Sequence, residues 1–203
     1  MKRLPAAFYR GPTFIHWNMA IDDRLTGWLT PLFHRQFREL QLHALCRYRL
    51  LGLTYCLMPD HLHLLWAGLA ADSDQDRAAS FLRKYLNIIL ASPDGTESRS
   101  APNPNPRSGI GNDSVRPSPR PFRLQKQTWD VVLLDNDQSR DALERLLFYI
   151  AENPVRAGLV TEARDWPYCG SQAAGYPDLD WRAADFRERL WKICGLETER
   201  NAG

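Results

Sequence analysis

No apolar run in this chain approaches the roughly 18 residues needed to suggest a membrane span, so no membrane partner is expected. The opening MKRLPAAFYR is not followed by an apolar stretch of the kind a secretory signal needs. Cysteine is scarce: Cys46, Cys56, Cys169 and Cys194 form no CxxC pair, which gives no zinc-site spacing. Free, buried or inert thiols in a reducing, cytoplasmic compartment are the expectation. Charge of one sign is lacking too. The net charge is only +2, so a nucleic-acid partner does not follow from charge and would need a local patch.

What is present fits a folded protein. Hydrophobic residues make up 44% and charged residues 25% of 203 residues, enough for one substantial core with an appendage. Residues 14–20, FIHWNMA, read as a strand. Thr30-Pro31 starts a helix over about 31–46: threonine caps free amides, and proline needs no intrahelical donor. Leu32, Phe33, Phe37 and Leu40 supply its apolar face. The run RLLGLTYCLMPDHLHLLW reads as two short strands broken near Met58-Pro59-Asp60, because Pro59 is foreign to a central strand. A second helix spans about 76–91, with Phe81, Leu82, Tyr85, Leu86 and Ile89 as its stripe. Residues 129–134 read as a late strand. Leu143, Leu146, Leu147 and Ile150 define a third helix, stopped near Asn153-Pro154. A further helix is expected within 182–194.

This order predicts an α+β fold, a ferredoxin-like split βαβ sandwich with an antiparallel sheet and helices packed on one face. The expected division is a main domain over 10–160 and a C-terminal extension over 161–203. Within the domain, a flexible insertion rich in Pro, Ser, Asn and Gly lies at about 92–121.

Three local features carry chemistry. His61, Leu62 and His63 alternate on a strand, so both imidazoles share one face. Such a pair either binds a transition ion or packs as ordinary polar side chains. Tyr149 sits beside an apolar helical stripe, where it is either a packing residue or a nucleophile whose phenol must be activated. Asn153, four residues on, either caps the helix or offers an oxygen to a metal shared with Tyr149's face. Residues 107–126 contain Arg107, Arg116, Arg120, Arg123 and Lys126 against Asp113 alone, which reads as a solvated linker or a basic loop near phosphate. Tyr85 and Trp129 read first as core residues and second as base-stacking platforms.

The blocks YCLMPDHLHLLW at 55–66 and YIAENPVRAGLV at 149–160 occur in an order that resembles the REP-associated tyrosine transposases. These belong to the single-tyrosine HUH endonucleases, named for histidine, a bulky hydrophobic residue and histidine. Leu124-Gln125 and DWPYCGS at 165–171 extend the resemblance over most of residues 10–172. Asp60 stands where many relatives carry Asn or Glu, and Ala151 where many carry His. The resemblance implies that His61 and His63 hold a divalent cation, Mg²⁺ or Mn²⁺. It implies Asn153 as a further ligand and Tyr149 as the residue that joins DNA through a 5′-phosphotyrosyl bond. The implied substrate is single-stranded or hairpin DNA, with Arg83, Lys84, Arg123, Lys126 and Arg156 as candidates for backbone contact. A monomer that completes its own site is the preferred arrangement, with a helix-exchanging dimer as the alternative. The competing functions are a catalytically weakened DNA-binding protein on the same fold and an unrelated metal hydrolase.

Overall fold

The computed structural model describes residues 4–92, 121–133 and 140–193. The expected insertion therefore lies almost wholly outside the described residues, as do Arg107, Arg116, Arg120, Leu134 and Cys194.

Strand β1 (Phe14–Ala20) leads to helix α1 (Pro31–Arg47). Thr30 caps α1 as expected, its Oγ1 accepting from the Phe33 amide at 3.1 Å. Strands β2 (Leu50–Met58) and β3 (His61–Gly68) form a hairpin around Pro59-Asp60, and helix α2 (Gln75–Ala91) follows. Asp74 caps α2 by accepting from the Arg77 amide at 3.0 Å. Strand β4 (Trp129–Leu133), helices α3 (Arg140–Ala151) and α4 (Asn153–Arg156), strand β5 (Cys169–Gln172) and helix α5 (Phe186–Ile193) complete the order. All strand pairs are antiparallel, in the sequence β4-β1-β3-β2-β5. The first four strands with α1 and α2 make the expected ferredoxin-like arrangement, and β5 lengthens the sheet at the β2 edge.

Alternation along the strands divides the core. Ile15, Trp17 and Met19 of β1 and Leu62, Leu64 and Trp66 of β3 pack with Phe33 and Phe37 of α1 and Leu82 and Leu86 of α2. The other face gathers Leu51, Leu53, Cys56, Met58, Leu65 and Ala67 with Ile150 of α3 and Leu190 of α5. Leu51 and Leu53 share that face with Cys56 and Met58 despite opposite parity, because a register shift between Gly52 and Thr54 resets the alternation. Cys56 and Cys169 are buried free thiols, whereas Cys46 is exposed. Among the described residues, no helix is long and apolar enough to cross a membrane.

Trp129 departs from its expected core role, with 61% of its surface exposed. β4 is an edge strand, and of its residues on that face only Leu133 joins Leu143 and Trp191 in a buried cluster. Tyr85 is also exposed and packs against Phe81 with its ring tilted at 48°.

Gly68 marks the tightest backbone approach in the sheet. A Cβ there would lie 1.9 Å from the Gly11 carbonyl oxygen and 3.2 Å from the Ser73 Cβ. Backbone cannot retreat as a flexible side chain would, since Gly68 N donates to Thr13 O at 2.9 Å and Gly11 N to Ser73 O at 3.0 Å. Gly68→Ala is expected to cost about 3 kcal/mol, in the range of severe overpacking. Urea unfolding checks this; an unchanged midpoint would show that the β1–β3 end is looser than its geometry.

Candidate active site

β3 delivers the two histidines to the sheet face covered by α3. His63 lies opposite Asn18 of β1 and Cys56 of β2, while His61 lies opposite Ala20 and Met58. Leu62 between them is fully buried on the α1–α2 face. The His61 and His63 Nε2 atoms converge to 3.0 Å, with the rings at 84°.

Each imidazole is held from its far side. The Asp60 Oδ1 lies 2.6 Å from His61 Nδ1, and Arg24 donates to the other Asp60 oxygen at 3.2 Å. A carboxylate only accepts, so His61 Nδ1 donates this hydrogen bond and Nε2 is the nitrogen left facing His63. Partial burial pushes the Asp60 carboxyl up, but the His61 hydrogen bond and the His61 and Arg24 charges outweigh it and leave it below the usual range. On the other imidazole, His63 Nδ1 lies 3.0 Å from His16 Nε2, with the two rings stacked.

His63 is 4% exposed. Burial pulls its pKa down to about 3, helped by His16, His61 and Arg156 and opposed by Asp60. Burial likewise lowers His16 to about 4. Both rings are thus neutral near pH 7, the form in which imidazole ligates metals.

The geometry fits a divalent cation at the nitrogen pair. Two bonds of roughly 2.1 Å at a right angle leave their nitrogens roughly 3.0 Å apart, and that is the His61–His63 Nε2 separation. Among the described residues, no group of three or more His, Cys, Asp or Glu side chains is arranged to hold a metal. The fit therefore rests on two nitrogens, with other positions left to amide, water or phosphate oxygens, as suits a hard cation.

Tyr149 lies beside His63. Ile150 beside it is fully buried and anchors α3, whereas Tyr149 is half exposed at 50%. The Tyr149 and His63 ring centroids are 6.4 Å apart at 75°. The Arg156 guanidinium sits 4.2 Å from the Tyr149 ring centroid and donates to the Tyr149 carbonyl at 2.6 Å. Asn153 spends its amide nitrogen on the Tyr149 and Ile150 carbonyls, at 3.1 and 3.2 Å. That is the helix-ending role, and it leaves only the amide oxygen to offer a cation.

The other DNA candidates gather elsewhere. Arg83, Lys84, Arg123 and Lys126 line one surface cleft of about 230 Å³, and Arg83 donates to the Lys126 carbonyl. α2 belongs to the layer across the sheet from the histidines. The segment carrying Arg123 nevertheless runs beside the strand end next to His61: Asp22 N donates to Arg123 O and Gln125 N to Ala20 O, both at 2.8 Å. Arg156 alone of the five reaches the tyrosine.

His16 and Arg24 escaped the sequence reading. The signal for His16 was available: alternation in FIHWNMA puts it with Asn18 on the face away from the buried Trp17. Arg24 had none, because its turn is brought to Asp60 by the Ile21 N to Asp60 O hydrogen bond at 2.9 Å.

No family model matches the chain. The chain is 24% identical over 169 residues to a Haemophilus influenzae protein named "Putative REP-associated tyrosine transposase", a match covering 81% of this chain and 85% of that protein. Among solved structures it is similar to a REP-associated tyrosine transposase bound to a REP hairpin. That match has a TM-score of 0.59 at 15% identity and covers 83% of this chain and 82% of the other. The chain thus shares its fold with a solved REP-associated tyrosine transposase and is distantly similar in sequence to a protein named as one.

Proposed function

We propose that this chain is a metal-dependent endonuclease and strand transferase for single-stranded DNA, a transposase acting at REP-like hairpins. Tyr149 Oη attacks a backbone phosphorus. The Oη–P bond forms, the P–O3′ bond breaks, and the 3′ oxygen leaves with the electron pair and takes up a proton. The phenolic proton passes to solvent, to which Tyr149 is open. A 3′-hydroxyl reverses the attack and joins strands without ATP, since the phosphotyrosyl bond conserves the energy of the one broken.

His61 and His63 would hold the cation through Nε2, and the Asn153 amide oxygen would serve as a further ligand. When bound, the divalent ion polarises the scissile phosphate and offsets its developing charge. Asp60 and His16 orient the two imidazoles, and Arg156 supplies fixed positive charge beside the tyrosine. Arg83, Lys84, Arg123 and Lys126 hold flanking phosphates, which positions the strand without reading bases. Trp129, exposed on the histidine face, offers a base-stacking surface.

The observation that carries this reading is the meeting, within one chain, of a half-exposed tyrosine and two imidazoles whose Nε2 atoms converge at 3.0 Å. It supports a monomer that completes its own site. The test is incubation with a single-stranded hairpin oligonucleotide in Mn²⁺ or Mg²⁺. The expected product is a covalent protein–DNA adduct, mapped by mass spectrometry to Tyr149 and lost in EDTA. His61→Ala and His63→Ala should each lower its yield by at least about 100-fold. DNA binding without any adduct would favour the non-catalytic binding protein, and cleavage without an adduct would favour a hydrolase that uses water.

A further inference from the structure

Asp60, His61, His63 and His16 form one line of contacts across two strands and the turn before β3. The steps are Asp60 Oδ1 to His61 Nδ1 at 2.6 Å, His61 Nε2 to His63 Nε2 at 3.0 Å, and His63 Nδ1 to His16 Nε2 at 3.0 Å. Asp60 fixes one end, because it can only accept. In a neutral His61 ring, Nε2 is therefore the lone-pair nitrogen. A neutral His63 has a single proton for two nitrogens, and each has a neighbour at hydrogen-bond distance.

Two arrangements satisfy the line. In the first, His63 carries its proton on Nε2 and donates it to His61, while His16 Nε2–H donates to His63 Nδ1. The pair is then closed by an internal hydrogen bond and offers nothing to a cation. In the second, His63 carries its proton on Nδ1 and donates it to His16 Nε2, and the His16 proton sits on its own Nδ1. Both ligand nitrogens then present lone pairs to one point. The two arrangements hold the same number of protons, so the change relocates protons without gain or loss.

We propose that His16 is the positioning residue that selects between these arrangements: by accepting from His63 Nδ1 it opens the histidine pair to a divalent cation. This rests on the metal-binding reading above. His16 cannot itself share that ion, because it touches the opposite edge of the His63 ring. Its place is set by β1, on which it lies opposite Leu65 of β3 and Val131 of β4, so it reaches the inner side of the site. The two ligands thus have unlike supports: a carboxylate binds His61 through Nδ1 alone, and an imidazole, which can donate or accept, leaves His63 able to close the pair.

Calorimetric titration of the full chain with Mn²⁺, without DNA, tests this. His16→Phe removes the acceptor and is expected to weaken Mn²⁺ binding about 10- to 100-fold, the usual effect of losing an outer-shell partner. His16→Gln places an amide oxygen near the Nε2 position and should recover most of that loss, which a purely space-filling role would not produce. A second readout needs no variant. In ¹⁵N-histidine-labelled protein, long-range ¹H–¹⁵N spectra should show the His63 proton moving from Nε2 to Nδ1 on addition of diamagnetic Zn²⁺. Equal Mn²⁺ affinity in the wild type and His16→Phe, or a His63 proton that stays put on Zn²⁺ addition, would overturn the role of His16 and leave the DNA-cutting reading standing. Failure of the wild type to bind Mn²⁺, or binding unaffected by His61→Ala, would remove the metal site itself.

Discussion

Tyr149→Phe is expected to abolish the covalent adduct and lower strand cleavage by at least about 1,000-fold, while leaving affinity for the same oligonucleotide within about threefold. The substitution deletes one oxygen. The ring that faces His63 and lies under the Arg156 guanidinium remains, and so does the backbone carbonyl that accepts from Asn153 and Arg156. Half the residue is already in solvent, so stability should change by no more than about 0.5 kcal/mol. A drop in adduct with unchanged melting and binding therefore reports the missing nucleophile. Gel-shift affinity and a denaturing-gel cleavage assay on one preparation check it. Adduct formation persisting in Tyr149→Phe would move the attack to another group, and the half-exposed placement of the tyrosine would then need a different purpose.

Much of the fold was legible because local rules and tertiary needs agree. Thr30-Pro31 announces α1, and the structure uses both residues as a cap and a first-turn position. The alternation of His61, Leu62 and His63 survives because Leu62 has a core to enter. The helix stop at Asn153-Pro154 is real, although the chain resumes at once as α4. Elements after residue 160 were less legible. β5 is a four-residue strand, CGSQ, with no alternating pattern of its own. It is a strand because the β2 edge offers partners for its backbone, and Gly170 lets it approach Tyr55, whose hydroxyl would lie 2.6 Å from an added Cβ.

The candidate site divides the same way. Strand period placed His61 and His63 on one face, whereas Tyr149, which locally read first as a packing residue, was singled out by the resemblance of its block. Residues that act through a partner far along the chain do not stand out. His16 is 47 residues from His63 and Arg24 is 36 from Asp60, and only the β1–β3 register and the Ile21 contact bring them in. Trp129 was misjudged toward the core for a related reason. Its strand pattern fits a buried strand, but edge position and partial helix cover decide exposure, and neither is written locally.

The neutral histidines also fix how the protein should respond to acid. His16 and His34 are held near a pKa of about 4 and His63 near about 3, in each case chiefly by burial, against an ordinary value of 6.5. For His34, the Arg38 and Arg182 charges add to the effect. The unfolded chain binds these protons as pH falls through 6.5, while the folded chain does not until pH 4 or below. Stability is thus full above about pH 6.5 and declines through the interval down to about pH 4. At pH 5 each fully lowered histidine costs about 2 kcal/mol relative to pH 7, so His16 and His63 together cost about 4 kcal/mol. His34 is more open to solvent and adds less. For a domain of this size that corresponds to a fall in Tm of roughly 10 °C. The lowered carboxyls of Asp60 and Asp178 act only at still lower pH, below their ordinary range, and do not confuse the window. Thermal melts in excess EDTA, which separates proton uptake from loss of a bound ion, check the size of the fall. His16→Gln should reduce it by about half, since one of the two dominant groups is gone. A Tm that stays level from pH 7 to pH 5 would mean that the imidazoles charge in place, and that the site is wetter than its packing against α3 implies.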